Sequence, residues 1–503
     1  MSDLHPSQGT DQPTDEESLD SVVPASKRGF FGHPWGLANL AGVEMWERFS
    51  FYGMQAILAF YIYYSVQQGG LGLPEAAATS IVGAYGGTVY LSAIIGAWVA
   101  DRLIGAERAV LIASIVIMCG HISLAVLPGL LGLGVGLVLI ALGSGTLKTT
   151  TSSVLGDMYA HNDPTRDAAF SIYYMGVNLG ALVGPLLTSA LWGWRGFHWG
   201  FGLAAVGMAI GLIQYALMRR HTISDVGKPA PNPLPKKHRG YLLIGVLAAA
   251  ALLAVLAGTG VLRAERLSGI VVAATLLAAV ALFGVILTSN RITETERSRV
   301  VAFIPMFIAS AVFWSLFQQQ FGVVAIYADQ RLNREVFGFT LPPSLVNSIN
   351  PLFVIIFAGV FAAIWTRLGT RQPSSPLKFA MGTVMMGIAF LAFLPWSGGG
   401  ANSTPLYAIV LILFLFTVAE LCLSPVGQSL ATKLAPKAFH TQMIALFFLS
   451  IAVGSAGAGA LGGYYDPTNE RPYFLLIGGA SIAVGIVVAV LSKWISKKMI
   501  DVH

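Results

Sequence analysis

Residues 44–52 are Glu44-Met45-Trp46-Glu47-Arg48-Phe49-Ser50-Phe51-Tyr52. They lie inside an otherwise apolar run from about 38 to 66, and a helix that crosses a bilayer needs roughly 20 such residues. On this helix Glu44, Glu47 and Arg48 follow the spacing i, i+3 and i+4 and share one face. Because ionisable side chains are costly inside hydrocarbon, this face is predicted to be functional.

The whole composition agrees with a membrane location. Of the 503 residues 55% are hydrophobic and only 11% are charged, whereas a soluble domain carries about 25% charged residues. Too few charges are present to cover a water-facing surface, which argues against a soluble enzyme. The net charge of +6 comes from basic residues in short connectors, not from a basic patch, so no nucleic-acid partner is predicted.

Fourteen apolar stretches reach the length of a spanning helix. Their approximate limits are 38–66, 76–100, 109–127, 129–156, 167–193, 198–218, 240–262, 267–289, 300–328, 342–366, 377–396, 405–432, 438–463 and 472–492. An even number of spans places both chain ends on one side. Most basic residues of the connectors fall on that side. The exceptions are Arg195, Arg263, Arg266, Arg331, Arg334 and Arg471. This bias predicts a multi-pass plasma-membrane protein with both termini in the cytoplasm.

The chain is predicted to consist of four parts. Residues 1–31 form an acidic tail that we expect to be disordered. Residues 221–297 comprise a proline-rich linker and two accessory spans without charged residues, which we expect to face lipid. What remains is six spans in 32–220 and six in 298–503, the arrangement of many secondary transporters.

Two further charges lie singly in spans of opposite halves. Lys148 has no acid within helical reach on its own span, and Glu420 is the only acid in any span of the later half. A cation in one half and an anion in the other suggest a cavity that suits a zwitterion. Polar and aromatic residues in other spans are candidates to line it. They are Tyr52, Tyr90, Asn178, Trp314, Gln318, Gln319, Asn347 and Asn350.

A structural interpretation of the same residues stays open. Glu44 and Arg48 can form a static ion pair that joins helices, and each amide can make an ordinary interhelical hydrogen bond. Against the static pair, two acids beside one base leave an uncompensated charge that helix packing does not require.

Four motifs in order resemble those of the proton-coupled oligopeptide transporter (POT) family of the major facilitator superfamily, in its bacterial form. They are residues 44–52, residues 166–180, Asn350-Pro351-Leu352-Phe353, and Glu420-Leu421-Cys422-Leu423-Ser424-Pro425-Val426-Gly427. The resemblance implies an all-α integral membrane protein with the major facilitator fold. It would have two six-helix bundles and two accessory transmembrane helices, 14 spans in all.

The resemblance also implies a function. The protein would be a symporter that imports di- and tripeptides by alternating access, with protons as the coupling ion, no cofactor, and a monomer as the working unit. Glu44, Glu47 and Arg48 would couple transport to protons. Arg48 and Lys148 would meet the peptide carboxylate, and Glu420 its amino group. The other implied substrate-binding residues are Tyr52, Tyr90, Asn178, Trp314, Gln318 and Asn350.

The sequence departs from the family pattern at several positions. Many members have arginine where Gln55 stands and an acid where Gln318 stands, and the two can pair across the halves. Here both are neutral, so a gate and a protonation site are absent. Phe51, Thr149-Thr150 and Phe447 depart from the usual residues as well.

A major facilitator transporter of another small anion, such as nitrate, or a drug exporter is the alternative. A membrane-embedded enzyme is not predicted. The nine histidines are scattered and no serine lies in a Gly-x-Ser-x-Gly turn.

Overall fold

The computed structural model describes residues 28–159, 165–223, 226, 227, 229, 230 and 232–500. The first six helices are α1 (Trp35–Tyr63), α2 (Glu75–Val99), α3 (Ala106–Val126), α4 (Gly129–Asp157), α5 (Arg166–Arg195) and α6 (Phe197–Thr222). Two more follow, α7 (Lys236–Gly258) and α8 (Leu267–Thr288). The later helices are α9 (Glu294–Phe317), α10 (Val323–Arg331), α11 (Ile349–Leu368), α12 (Ser375–Leu391), α13 (Leu406–Lys433), α14 (His440–Gly462) and α15 (Arg471–Met499).

Strands are confined, in this described part, to two short antiparallel hairpins. They are β1 (Arg28–Phe30) with β2 (His33–Pro34), and β3 (Glu335–Val336) with β4 (Phe339–Thr340). Short 3-10 segments at Gln318–Phe321 and Pro343–Ser348 join α9 to α10 and precede α11. Most of the predicted acidic tail, residues 1–27, lies outside the described residues.

Among the described residues, twelve helical segments are long and apolar enough to cross a membrane, and α9 and α10 together form one of them. Helices α1 and α7, of 29 and 23 residues, bring the long helical segments to the fourteen expected from the sequence. The helix limits fall within a few residues of most predicted spans, because an apolar run of sufficient length specifies a membrane helix with little help from tertiary contacts.

The helices form two bundles with separate hydrophobic cores. In the N-terminal bundle (α1–α6), α1 packs on α5 and α6, and α3 packs on α4 and α6. In the C-terminal bundle (α9–α15), α12 packs on α13 and α15, and α14 packs on α9. Each bundle is therefore packed internally, as expected of a unit that can move as a rigid body.

The two bundles meet along α2 and α14, which we call the α2–α14 seam. A Cβ atom added at Gly83 would lie 2.5 Å from the Cα atom of Gly459. The two backbones thus touch, an approach that only small residues allow. A Cβ atom added at Gly462 would lie 2.8 Å from the Cβ atom of Thr79.

Hydrogen bonds also join the bundles at the end where α1 finishes and α2 begins, which we call the loop end. The hydroxyl of Tyr63 donates to Asp329 over 2.5 Å, and that of Tyr64 donates to the same carboxylate over 2.9 Å. Gln330 donates to Glu75 over 2.6 Å. These bonds connect α1 and α2 to α10.

The accessory helices differ in their surroundings. The described side chains of α7 include exposed Tyr241 and Leu247, as expected for a lipid-facing helix. Helix α8, in contrast, packs against α2, α9 and α14. Its buried residues form one stripe: Ser268, Thr275, Ala279 and Ile286. Most of α8 is therefore free to face lipid as expected, but this stripe was not anticipated, because apolar composition does not distinguish a lipid contact from a helix contact.

Helix α8 contacts both bundles beside the α2–α14 seam. The backbone N–H of Ser268 donates to Ser80 Oγ over 3.1 Å, which attaches α8 to α2. The ring of Phe283 packs edge-to-face on that of Phe307, with centroids 5.6 Å apart, and Ala279 and Ile286 belong to the core of the C-terminal bundle. Helix α8 therefore packs mainly on α14 and α9 of the C-terminal bundle, and to a lesser extent on α2.

Candidate functional site

The charged residues of α1 form one compact group, the α1 charge cluster (Glu44, Glu47 and Arg48). Arg48 donates through Nε and Nη2 to Glu44 Oε1, over 3.0 and 2.8 Å. Glu47 Oε2 lies 3.1 Å from Arg48 Nε. All three side chains are buried, with at most 4% exposure. The three residues that the helical spacing placed on one face therefore contact one another.

Hydroxyl groups of α4 donate hydrogen bonds to the carboxylates of Glu44 and Glu47. Ser144 donates to Glu47 Oε1 over 2.5 Å, and Thr151 donates to Glu44 Oε2 over 2.9 Å. The hydroxyl of Tyr173 lies 2.8 Å from that of Thr151. These residues were not predicted from the sequence. Their spacing was a usable signal, since 144, 148 and 151 share one face of an apolar helix.

Lys148 lies on that same face of α4 and contacts α2. Its Nζ atom is 3.4 Å from the hydroxyl of Tyr90 and 4.5 Å from the centre of the Tyr90 ring. A neutral phenol and a ring face satisfy an ammonium only in part, so Lys148 retains the capacity to bind an anion.

The C-terminal bundle contributes the opposite charge. Asn350 on α11 donates to Glu420 Oε2 on α13 over 3.2 Å and to Thr417 Oγ1 over 3.0 Å. Tyr90, which contacts Lys148, packs against the core of this bundle. The predicted cations thus lie on the N-terminal bundle and the predicted anion on the C-terminal bundle, with Tyr90 at the contact between the bundles.

Three other predicted residues occupy different surroundings. Tyr52 stacks on Phe321 of the other bundle, with ring centroids 6.1 Å apart. Trp314 is buried, and its indole N–H has no hydrogen-bond partner among the described residues. Asn178 donates to the carbonyl of Tyr174 on its own helix over 2.9 Å, and no bond between it and the charged groups is seen in the described part.

Gln318 lies beside the α2–α14 seam. It lines a small pocket together with Gln55, Thr79 and Ser455. The two glutamines that depart from the family pattern are therefore neighbours across the bundles. Gln319 lines this pocket too and accepts a hydrogen bond from Tyr473 over 2.6 Å.

The arrangement defines a class of protein. Two helical bundles enclose buried charges of both signs between them, on helices that cross the membrane, as in a secondary transporter. Within the described residues, no group of three or more histidine, cysteine, aspartate or glutamate side chains is placed to hold a metal ion.

Comparison with known proteins identifies the family. A sequence model of the POT family matches residues 107–471, and the chain belongs to this family. It is 43% identical to the uncharacterised transporter YclF of Bacillus subtilis, over 96% of this chain and 98% of the relative. It is 36% identical to a di-/tripeptide transporter of Lactococcus lactis subsp. cremoris, over 95% and 99%.

A solved structure is similar over the same extent. The peptide transporter POT carrying a glutamate-to-glutamine mutation, in complex with alafosfalin, superimposes with a TM-score of 0.91 at 44% identity. The match covers 97% of this chain and 100% of that one. The predicted family and the predicted fold are thereby confirmed, and the chain is a multi-pass membrane transporter, not an enzyme.

Proposed function

We propose that this protein is a proton-coupled symporter that imports di- and tripeptides across the plasma membrane. The observation that carries the proposal is the placement of buried Arg48 and half-buried Lys148 in one bundle and of half-buried Glu420 in the other. A short peptide has a carboxylate at one end and an ammonium at the other, and this arrangement complements both. The relative from Lactococcus lactis, named a di-/tripeptide transporter, supports the same substrate class.

In this proposal Arg48 and Lys148 bind the peptide carboxylate, and Glu420, oriented by Asn350, binds the amino group. Charge-assisted hydrogen bonds of this kind are stronger than neutral ones. The remaining contacts are assigned to the peptide backbone and the walls of the site. Those residues are Tyr52, Tyr90, Asn178, Trp314, Gln318 and Asn350.

Proton coupling is assigned to the α1 charge cluster. Two carboxylates compete there for one guanidinium, so a proton on one of them relieves an uncompensated negative charge. A protonated glutamate no longer holds Arg48, which is then available to the peptide carboxylate. Protons are the coupling ion, and no cofactor takes part.

Transport is proposed to proceed by rocking of residues 32–220 against residues 298–503. The connectors rich in lysine and arginine support chain termini in the cytoplasm, and hence a loop end that faces outward. The bonds of Tyr63, Tyr64 and Glu75 to α10 then close the outer side. A monomer is proposed as the transporting unit.

Uptake by purified protein in proteoliposomes tests this function directly. Labelled dialanine should accumulate when the outer buffer is more acidic than the lumen, and should only equilibrate without that gradient. Unlabelled dipeptides should compete, whereas nitrate should not. Nitrate-inhibited uptake that dipeptides leave unchanged would instead favour the anion transporter.

Glu420→Gln tests the recognition of the amino group. Wild-type protein should prefer dialanine over N-acetyl-dialanine, because acetylation removes the charge that Glu420 binds. We expect Glu420→Gln to lower this preference about tenfold, the effect of losing a hydrogen bond between charged groups. Competition against labelled dialanine measures it, with exposed Glu335→Gln as the control. An unchanged preference would show that another group binds the amino terminus.

A further inference from the structure

Tyr85 on α2 belongs to the surroundings of the α1 charge cluster, although no motif points to it. Its side chain is buried, with 4% exposure, and its ring centroid lies 5.8 Å from that of Phe51. Phe51 is one helical turn beyond Glu47 on α1, so Tyr85 packs against the face that carries the cluster. The hydroxyl of Tyr85 has no hydrogen-bond partner among the described residues.

Glu47 has an oxygen in the same situation. Its Oε1 atom accepts from Ser144, whereas Oε2 lies 3.1 Å from Arg48 Nε without a hydrogen bond in the described part of the chain. Phe51, whose ring packs on Tyr85, also lies under the Arg48 guanidinium, with Cζ 5.6 Å from the ring centroid. Tyr85 thus lies beside the cluster with a buried hydroxyl that has no hydrogen bond in the described part, and Glu47 Oε2 is held there only by its ion pair with Arg48, so each is costly to leave without a partner once Arg48 departs.

We propose that Tyr85 is the hydrogen-bond partner of Glu47 Oε2 in the step in which Arg48 leaves Glu47 for the peptide. Tyr85 is then a positioning residue for proton coupling, and this assignment rests on the function proposed above. The other charged groups around Glu47 are Glu44 and Arg48 on α1 and Lys148 on α4.

A phenol suits this step because its hydroxyl both donates and accepts. While Glu47 is ionised, the O–H of Tyr85 donates to Oε2. Once Glu47 carries a proton, the carboxylic O–H donates to the oxygen of Tyr85. The proton stays on Glu47 in the second arrangement and Tyr85 undergoes no net change, so Arg48 can depart without leaving Glu47 unpartnered.

Tyr85→Phe removes only the hydroxyl and retains the ring that packs on Phe51. Two assays on the full-length protein in proteoliposomes separate its effects. One is dialanine uptake driven by a proton gradient, and the other is counterflow, in which labelled dialanine exchanges with a preloaded unlabelled pool without a gradient. We expect driven uptake to fall about tenfold, the effect of one lost hydrogen bond to a charged group, and counterflow to stay near the wild-type rate.

Tyr61→Phe serves as the control, since Tyr61 is equally buried on α1 but packs on Phe197 and Phe201, outside the site. It should alter neither assay. Retention of driven uptake by Tyr85→Phe would overturn the assignment, and so would an equal fall in both assays, which indicates a structural role. Wild-type protein that transports no dialanine in either assay would refute the proposed function itself.

Discussion

Glu44→Gln and Glu47→Gln should each reduce proton-driven dialanine uptake by roughly a hundredfold, because breaking a buried ion pair costs about 3 kcal/mol or more. Glutamine retains the shape of the side chain, but it binds no proton at the pH of the assay and gives Arg48 no counter-charge. Glu44 and Glu47 both contact Arg48 and each accepts from an α4 hydroxyl, so neither change is compensated nearby. Initial uptake rates in proteoliposomes, with and without an inward proton gradient, measure the effect.

Glu107→Gln is the matched control for this prediction. Glu107 is a buried acid of the same bundle that pairs with Arg219 over 2.8 Å, away from the α1 charge cluster. It should lower the melting temperature without changing the ratio of driven uptake to counterflow. If both cluster variants transported dialanine under a gradient as the wild type does, the cluster would be a static ion pair that joins helices.

A disulfide between Ser80→Cys and Ser268→Cys should abolish uptake. Their side-chain oxygens are 3.1 Å apart, which brings the substituted sulfurs within reach of a disulfide. Helix α8 is anchored mainly in the C-terminal bundle, so rocking must separate Ser268 from Ser80 on α2. Uptake before and after oxidation, in protein whose Cys119 and Cys422 are replaced by serine, measures the effect. Reductant should restore transport.

Ser310→Cys with Ser450→Cys provides a control of the same chemistry. These serines are 2.8 Å apart and both lie within the C-terminal bundle, on α9 and α14. Their disulfide should form and leave uptake unchanged. Continued uptake by the oxidised Ser80–Ser268 pair would contradict rocking at the α2–α14 seam and would mean that α8 moves with α2.

Much of the site followed from local geometry. Glu44, Glu47 and Arg48 were placed on one face by the period of the helix alone, and the structure joins them in one cluster. Lys148 and Glu420 could be identified from the sequence because an ionisable group in an apolar run stands out without knowledge of the fold. The roles of these residues in binding and coupling stay predictions.

The partners of these charges could not be obtained in the same way. Ser144 and Thr151 resemble any other small hydroxyl residues of a membrane helix until α4 is packed against α1. Nothing in the sequence pointed to Tyr85, and Ser268 and Thr275, the polar residues of the buried stripe of α8, are too few to mark that face before α2 and α14 are packed against it. The role of a hydroxyl or a small residue depends on the helix that packs against it.

Length, hydropathy and the helical period thus sufficed for the spans and for the charged face of α1, while the ordered motifs were enough for the family resemblance. Both depend on residues that are near one another in the chain. The contacts between α1, α2 and α4, the pocket shared by Gln55 and Gln318, and the α2–α14 seam with α8 beside it required the folded molecule. They join residues far apart in sequence, and only helix packing determines which of many similar side chains meet.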